Sequence, residues 1–181
     1  MPVQIGATSH SFSEPTALLS DCHRRIEMFL GSLQRVAVLI DKPLSDDARE
    51  AMESSLRYFR EAAPKHTADE EESLFPRLRN IQNSHLQAAI TTLDALEQEH
   101  RRAAALHAEV EALGTTYLKK RPLSVSEAQR FREAVAELAS IYKEHIRIED
   151  DEVFPIAGRA LSKKEKNLIA LEMAWRRQVS G

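Results

Sequence analysis

Apolar residues recur every three or four positions in four long stretches of the chain, the repeat of an α-helix that buries one face. The first stretch ends at Asp41-Lys42-Pro43. The third is predicted to end just before Gly114, because glycine commonly follows the last residue of a helix. Pro64 interrupts the second stretch and is expected to kink or split that helix. The four predicted buried faces are Leu19, His23, Ile26, Leu30, Leu33, Ala37 and Ile40; Met52, Leu56, Phe59, Ala63, His66 and Glu70; Ala89, Leu93, Leu96, His100, Ala103, His107 and Val110; and Phe131, Val135, Leu138, Tyr142, His145 and Glu149.

Short polar segments separate these stretches, and most of them carry a residue that caps the start of a helix. Helices are expected to stop close to Pro76 and Pro155, because proline lacks the amide hydrogen that a continuing helix needs. The predicted caps are Ser13 before Pro15, Ser45 before two acidic residues, and the capping boxes Ser84/Gln87, Ser124/Glu127 and Ser162/Glu165.

These elements predict an all-α fold, an up-down-up-down four-helix bundle with a short extra C-terminal helix. The joints are only long enough to reverse the chain. We therefore expect one domain over residues 1–181, with the bundle at about 13–156 and the last helix at about 162–176. The composition agrees, since 5 glycines and 7 prolines in 181 residues are too few for an all-β fold with many turns.

Charge and cysteine content exclude several classes of protein. A net charge of −3 with well-mixed signs offers no basic surface for nucleic acid. No apolar run approaches the roughly 20 residues of a membrane span, and residues 1–13 lack the features of a signal peptide. Cys22 is the single cysteine, so no internal disulfide forms. We expect a cytoplasmic protein that binds neither nucleic acid nor membrane.

The second and fourth predicted helices carry one eleven-residue pattern twice. Residues 66–76 are HTADEEESLFP and residues 145–155 are HIRIEDDEVFP. Both give a His, three residues, a Glu, two acids, one residue, a branched aliphatic, Phe and Pro. The first and third helices match more weakly, as His-Arg-Arg at residues 23–25 and 100–102. The bundle is therefore predicted to contain two hairpins built on one plan, each with one His from its first helix and a His/Glu pair from its second.

Six residues of this repeat lie on the predicted buried faces, where an ionised carboxylate is costly unless a positive partner neutralises it. A His and a Glu four residues apart project from one side of a helix, and neither pair has an Arg or Lys on its own stripe. Imidazole and carboxylate groups are metal ligands, and a two-metal site satisfies both carboxylates at once. The predicted metal site comprises His23, His66, Glu70, His100, His145 and Glu149.

On these motifs the chain resembles the hemerythrin-like, or HHE cation-binding, domain family over about residues 13–156. The resemblance implies a four-helix bundle that holds two non-haem iron ions, usually also bridged by an oxo or hydroxo group. It implies that the four histidines are terminal ligands and that the two glutamates bridge the irons. Imidazole and carboxylate also suit Mn and Zn, so the ligand types leave the metal open, with iron preferred.

The chain departs from the oxygen-carrying hemerythrins of invertebrates at two positions. Those proteins have a second His four residues after that of the third helix, where this chain has Ala104. They also have an Asp five residues after the fourth-helix His, where this chain offers Glu149 at four and Asp150 at five. We favour Glu149, because four residues rotate by about 40° and five by about 140°; Asp150 is the alternative. Glu27, four residues after His23, corresponds to Ala104 and is a candidate for an additional ligand.

Other polar residues near these motifs receive structural interpretations. The acidic runs that follow the two glutamates are expected to be mostly solvated helix surface. His107 lies two turns beyond the third-helix His and is expected to be structural or to hydrogen-bond a ligand. Tyr142 is expected to pack in the core or to hydrogen-bond a ligand, and Cys22 to be a small buried side chain.

Three classes of function remain open on the sequence alone. The first is a di-iron protein that binds or senses oxygen or nitric oxide, or that handles iron. The second is a di-iron oxidoreductase or iron-centre repair protein, and the third is a metal-free helical interaction protein. With Ala104 in place of a fifth His, roughly two of the twelve positions around two six-coordinate irons stay open. This favours iron handling, sensing or redox chemistry over reversible oxygen carriage.

Overall fold

Over the residues that the structure describes, the chain forms four long helical stretches and a shorter C-terminal helix. The computed structural model describes residues 14–81, 87–119 and 123–178. Two segments, π1 and π2, are π-helices, whose backbone bonds join residues five apart. The elements are α1 (Pro15–Leu39), α2 (Asp46–Glu61), α3 (Ala63–Ala68), π1 (Asp69–Leu74), α4 (Phe75–Arg79), α5 (Gln87–Leu118), α6 (Val125–Ile148), π2 (Glu149–Val153), α7 (Phe154–Ala160) and α8 (Lys163–Arg176).

The long stretches form a ring of four neighbours. Helix α1 packs against α2 and α6, and α5 packs against the same two helices on the other side. Helix α8 packs outside this ring, against π1 and α1. The predicted all-α bundle with an extra C-terminal helix is confirmed. None of the helices in the described segments is long and apolar enough to cross a membrane.

The predicted helix starts at Ser45, Ser124 and Ser162 are confirmed. The Ser45 hydroxyl accepts a hydrogen bond from the backbone N–H of Ala48 at 3.2 Å. The other two serines form complete capping boxes, in which the glutamate three residues later also accepts from the serine N–H. The predicted caps at Ser13 and Ser84 lie outside the described residues.

Three prolines shape the second and fourth helical stretches. Pro64 splits its helix as predicted, because α2 ends at Glu61 and α3 begins at Ala63. The prediction that helices stop near Pro76 and Pro155 is wrong, since helix continues to residues 79 and 160. Each proline follows a π-helix, and its missing N–H and bulky ring disfavour an α-turn just before it. The wider π-turn accommodates the proline and lets the helix continue.

The predicted helix end at Gly114 is also wrong, because α5 runs on to Leu118. A Cβ atom at Gly114 would lie 2.9 Å from Met52 Sδ and 3.1 Å from Leu56 Cδ1. The glycine therefore allows α2 to approach α5 closely, and it does not terminate the helix.

Two apolar clusters fill the bundle on either side of one polar level. We call them the joint-side core, which includes Met52 near the α1–α2 joint, and the α8-side core, which includes Ile169 of α8. On α1, His23 lies between Leu19 of the α8-side core and Ile26 of the joint-side core. The histidine and glutamate side chains of the repeat therefore meet where the apolar core is interrupted.

Candidate metal centre

The six side chains predicted from the repeat come together at this polar level. All of them are buried, and three of the six (one histidine and both glutamates) are completely inaccessible to solvent, at 0% exposure. The bundle brings four separate helical stretches to one point, so the convergence depends on the whole fold. The cluster consists of His23 from α1, His66 from α3, Glu70 from π1, His100 from α5, His145 from α6 and Glu149 from π2.

One half of the cluster combines the histidines of the first hairpin with both glutamates. His23 Nε2 lies 3.1 Å from Glu149 Oε2 and 3.9 Å from Glu70 Oε1. His66 Nε2 lies 3.2 Å from the same Glu70 Oε1. One potential ligand atom from each of these four residues fits within 4.8 Å of the others, so the group is compact enough to surround one ion.

The other half combines the histidines of the second hairpin with the same two glutamates. His100 Nε2 lies 3.4 Å from Glu70 Oε2, and His145 Nε2 lies 3.3 Å from Glu149 Oε2. The two Nε2 atoms approach each other to 2.9 Å, so their lone pairs point into a common space. These four residues again place one ligand atom each within 4.8 Å of the others. Glu70 thus presents one carboxylate oxygen to each half.

The donor atoms of the two glutamates fit a metal ion. Both carboxylate oxygens of Glu70 and of Glu149 are buried and accept no hydrogen bond from the described residues. Among those residues, no Arg or Lys forms an ion pair with either glutamate. Burying an ionised carboxylate without a partner costs several kcal/mol, and a coordinated cation removes that cost. Nitrogen and carboxylate donors together suit Fe, Mn and Zn.

Protons balance part of the buried negative charge in the metal-free cluster. Burial alone would lower the pKa of His23 and of His145, but the neighbouring acids outweigh it and raise these values to about 11 and about 9. Burial also opposes ionisation of Glu149, yet the nearby His145 and His23 rings hold the pKa of this carboxyl below its usual range. Burial and the nearby Glu149 charge raise the pKa of Glu70 to about 8. Metal ions must therefore displace protons from this cluster.

Three of the four histidines have their outer ring nitrogen paired with an acid. His23 Nδ1 lies 2.9 Å from Asp150 Oδ1, and His100 Nδ1 lies 2.8 Å from Glu71 Oε1. In both pairs the acid belongs to the opposite hairpin and directly follows its cluster glutamate. His145 Nδ1 also pairs with an acid, Glu99 of its own hairpin, whose Oε2 lies 2.9 Å away. An Nδ1–H donated to a carboxylate fixes the ring and leaves the Nε2 lone pair facing the cluster.

The Phe-Pro ends of the two motifs cover the cluster on the α8 side. The Phe154 ring stacks on His23 with ring centroids 5.3 Å apart. The Phe75 ring lies parallel to that of His100, at 6.4 Å between centroids. Each phenylalanine therefore covers a histidine of the opposite hairpin, and both are almost fully buried. They close the polar level toward the α8-side core and exclude water from that direction.

The structure places the carboxylates of the other candidate ligands outside the group of six that faces the cluster interior. Glu27 is exposed and pairs with Arg24 at 2.8 Å, so it does not meet the six clustered side chains. Glu27 is therefore exposed on α1 although it lies only one turn beyond His23, the spacing that brings Glu70 and Glu149 into the cluster. Asp150, the alternative to Glu149, turns its carboxylate to the outer face of the His23 ring. His107 hydrogen-bonds Tyr142 at 3.0 Å, as its structural interpretation implies.

Sequence reasoning missed two acids that contact the cluster histidines. Glu71 was expected to be part of a solvated run, although it holds the same place in its motif as Asp150, and this equivalence was a usable signal. Glu99 directly precedes His100 and carried no signal, because its equivalent before His23 is Cys22. Correspondingly, His66 Nδ1 is the one outer nitrogen of the four that has no hydrogen-bond partner among the described residues.

The fold and the cluster together define a helical-bundle protein with a buried site of histidine and glutamate side chains suited to cations. The family model of the hemerythrin HHE cation-binding domain matches residues 14–157. The chain belongs to this family, as its motifs indicated, and family and clusters together support metal binding. The chain is also 26% identical to an uncharacterized protein of Haemophilus influenzae over 170 aligned residues, and this alignment covers 93% of each chain.

Proposed function

We propose that this protein holds two non-haem metal ions, with iron as the preferred metal. His23 and His66 would bind one ion and His100 and His145 the other, with Glu70 and Glu149 shared between them. A single observation carries the proposal: two pairs of buried histidines flank two carboxylates whose oxygens accept no hydrogen bond from the described residues. Each ion would receive two imidazoles and two carboxylate oxygens, which leaves coordination positions for smaller ligands.

The function we infer is binding or sensing of oxygen or nitric oxide, or iron handling, at this centre. Bound iron would supply redox chemistry and positions for a diatomic ligand. The chain's own residues orient the ligands, since Asp150, Glu71 and Glu99 fix three histidine rings. A cavity of about 400 Å³ reaches His100 and Ala104, which supports exchange of small ligands from that side.

Metal quantitation with an optical spectrum tests the proposal. Protein expressed in medium supplemented with Fe, Mn and Zn is expected to contain about two ions per chain and, with iron, charge-transfer absorption in the visible range. His66→Ala should lose metal and most of that absorption, because the His23 half keeps a single imidazole. His107→Gln is the matched control, a partly buried histidine outside the cluster, and should retain both. A wild-type protein free of all three metals would refute the proposal.

Titration with nitric oxide separates ligand binding from iron handling. Under anaerobic conditions the reduced iron-loaded protein should give a saturable new absorption band with wild type and a weaker band with His100→Ala, since His100 lies at the accessible side. Absence of any spectral change at excess nitric oxide, with about two irons still bound, would contradict ligand binding. It would leave iron handling as the function of the same centre.

A further inference from the structure

The cavity beside the cluster is far larger than a diatomic ligand requires. It measures about 400 Å³, whereas one water occupies roughly 30 Å³ of liquid. Its walls come from α2, α3, α5 and α6. Ala63, Thr67, His100 and Tyr142 line both this cavity and the small space inside the cluster, so the two are contiguous. A molecule bound in the cavity would therefore lie directly against one side of the metal centre.

The walls of the cavity are mainly apolar and include aromatic rings. Phe59 and His107 stack with their centroids 4.2 Å apart, and Tyr142 donates or accepts a hydrogen bond with His107 Nε2 at 3.0 Å. On α5, Ala104 and Ala108 contribute only methyl groups, which leaves the space open. Apolar walls with a few fixed polar groups are typical of sites for small organic molecules, and volumes of about 300–1,000 Å³ are usual for them.

The charged groups of the cavity cancel each other. Arg60 and Glu111 line it and form an ion pair with each other at 2.7 Å. Burial lowers the pKa of His107 to about 4, so this ring is neutral at pH 7. The described residues that line the cavity therefore offer a ligand no unbalanced charge. The hydroxyl groups of Thr67 and Tyr142 remain as its polar groups for orienting a ligand near the cluster.

We propose that this cavity binds a neutral aromatic molecule of about ten to fifteen non-hydrogen atoms that carries one hydroxyl or carbonyl group. The ring packs between the α5 alanines and the Phe59/His107 wall, and the polar group points toward Thr67 and Tyr142. This binding goes beyond the diatomic ligands of the proposed function. It uses the shape of the bundle and needs no metal ion.

Calorimetric titration with 2-naphthol tests the inference on the full-length protein as isolated. Wild type should bind one molecule per chain, and Ala104→Phe should bind it at least tenfold more weakly, because the new ring fills the cavity. Ala105→Phe is the matched control, since Ala105 is the next residue on α5, is also exposed and lies outside the cavity lining, and its affinity should stay within twofold of wild type.

A charged analogue and a second cavity-filling variant test the same site independently. The anion 2-naphthoate should bind at least tenfold more weakly than 2-naphthol, since the one arginine among the described lining residues is already paired with Glu111. Ala108→Phe fills the same cavity one turn further along and should repeat the loss if Ala104→Phe fails to fold. Any of three results would overturn the proposal: the Ala104 and Ala105 variants weaken binding equally, the anion binds as well as 2-naphthol, or the wild type does not bind 2-naphthol. Metal content measured on the same samples shows separately whether the metal centre is present.

Discussion

The acids around the cluster act in two different ways. Glu70 and Glu149 turn their oxygens inward, whereas Asp150 turns Oδ1 to the outer nitrogen of His23. Ser20 donates a hydrogen bond to the same Oδ1 and Arg24 donates one to Oδ2, each at 2.7 Å. The His23 Nδ1–H therefore donates to a carboxylate that is itself fixed. An imidazole held in this way has one tautomer and a more basic inner nitrogen, both of which favour a cation on the inner side.

Replacing Asp150 by alanine should weaken metal binding without abolishing the site. We expect the affinity to fall by about ten- to a hundredfold, because His23 loses the acceptor that orients its ring. Competition with a chromophoric chelator measures this change. Asp151→Ala is the control, since Asp151 is the exposed neighbour on the same π-helix. The same affinity in the two variants would contradict an orienting role for Asp150.

His107 should make the protein less stable in acid. Burial lowers its pKa from 6.5 in the unfolded chain to about 4 in the folded one. The folded state therefore binds fewer protons between these values. The free energy of unfolding of the protein therefore falls by up to about 3 kcal/mol as the pH drops from about 6.5 toward 4. Urea unfolding of the metal-free protein at pH 7 and pH 4.5 should show a smaller loss for His107→Phe. Equal losses in both proteins would argue against the buried neutral ring.

At the scale of elements, the C-terminal helix secures one of the two π-helices. Asp69 of π1 is fully buried and lies 2.9 Å from Arg176 and 2.6 Å from Arg177, at the end of α8. The equivalent residue before Glu149 is Ile148, which carries no charge. Helix α8 lies beyond the region matched by the family model. It adds to the bundle a charged contact directly beside Glu70.

Asp69→Asn should therefore destabilise the protein more than loss of an exposed acid on the same element. Removing the charge leaves two arginines without their buried partner, and we expect a loss of about 3 kcal/mol in the free energy of unfolding. Glu72→Gln is the matched control, because Glu72 contacts the same Arg176 at 3.0 Å but is exposed, and it should cost at most about 0.5 kcal/mol. Similar urea midpoints for the two variants would contradict this assignment.

Local spacing was enough to predict the helices and the six clustered residues. His66 and Glu70, like His145 and Glu149, are one turn apart, so their common direction follows from the chain itself. The start caps at Ser45, Ser124 and Ser162 are equally local. These features needed no knowledge of how the helices pack.

The features that sequence reasoning missed depend on contacts between distant segments. In the sequence, Gly114 looks like the end of a helix. Only the packing shows that α2 passes within van der Waals distance of it. The π-helices break the 3.6-residue period on which helix prediction rests, and the prolines that accompany them usually signal an end. Glu71 could be separated from the solvated acids beside it only once His100 was known to approach it.

Across the whole molecule, the polar level lies between the joint-side core and the α8-side core. All four helical stretches contribute side chains to this level, so any cation there would connect every stretch to its neighbours. Ions that bind only the folded state stabilise it in proportion to the logarithm of their concentration relative to the dissociation constant. The bundle without its ions must instead keep two glutamates buried with protons as the balancing charges.

Removing the metal should lower the melting temperature of the entire bundle in one transition. For free metal at about a thousand times its dissociation constant the loss is about 4 kcal/mol, or roughly 10 °C for a chain of this size. Calorimetry before and after chelation, with restoration by added metal, measures it. The double variant His66→Ala/His145→Ala should melt at one temperature with or without chelator. A chelator shift as large in that variant as in wild type would show that the stabilising ions bind elsewhere.

The acids that contact His23 and His100 come from opposite hairpins, and this exchange has a consequence for how such a molecule arises. If one hairpin were copied and two identical copies paired about a twofold axis, each would supply the acid and the phenylalanine that the other copy's histidine requires. The chain has the arrangement that fusing such a pair end to end would produce. Its two halves have since become different at equivalent positions, where Cys22 corresponds to Glu99 and Asp69 corresponds to Ile148.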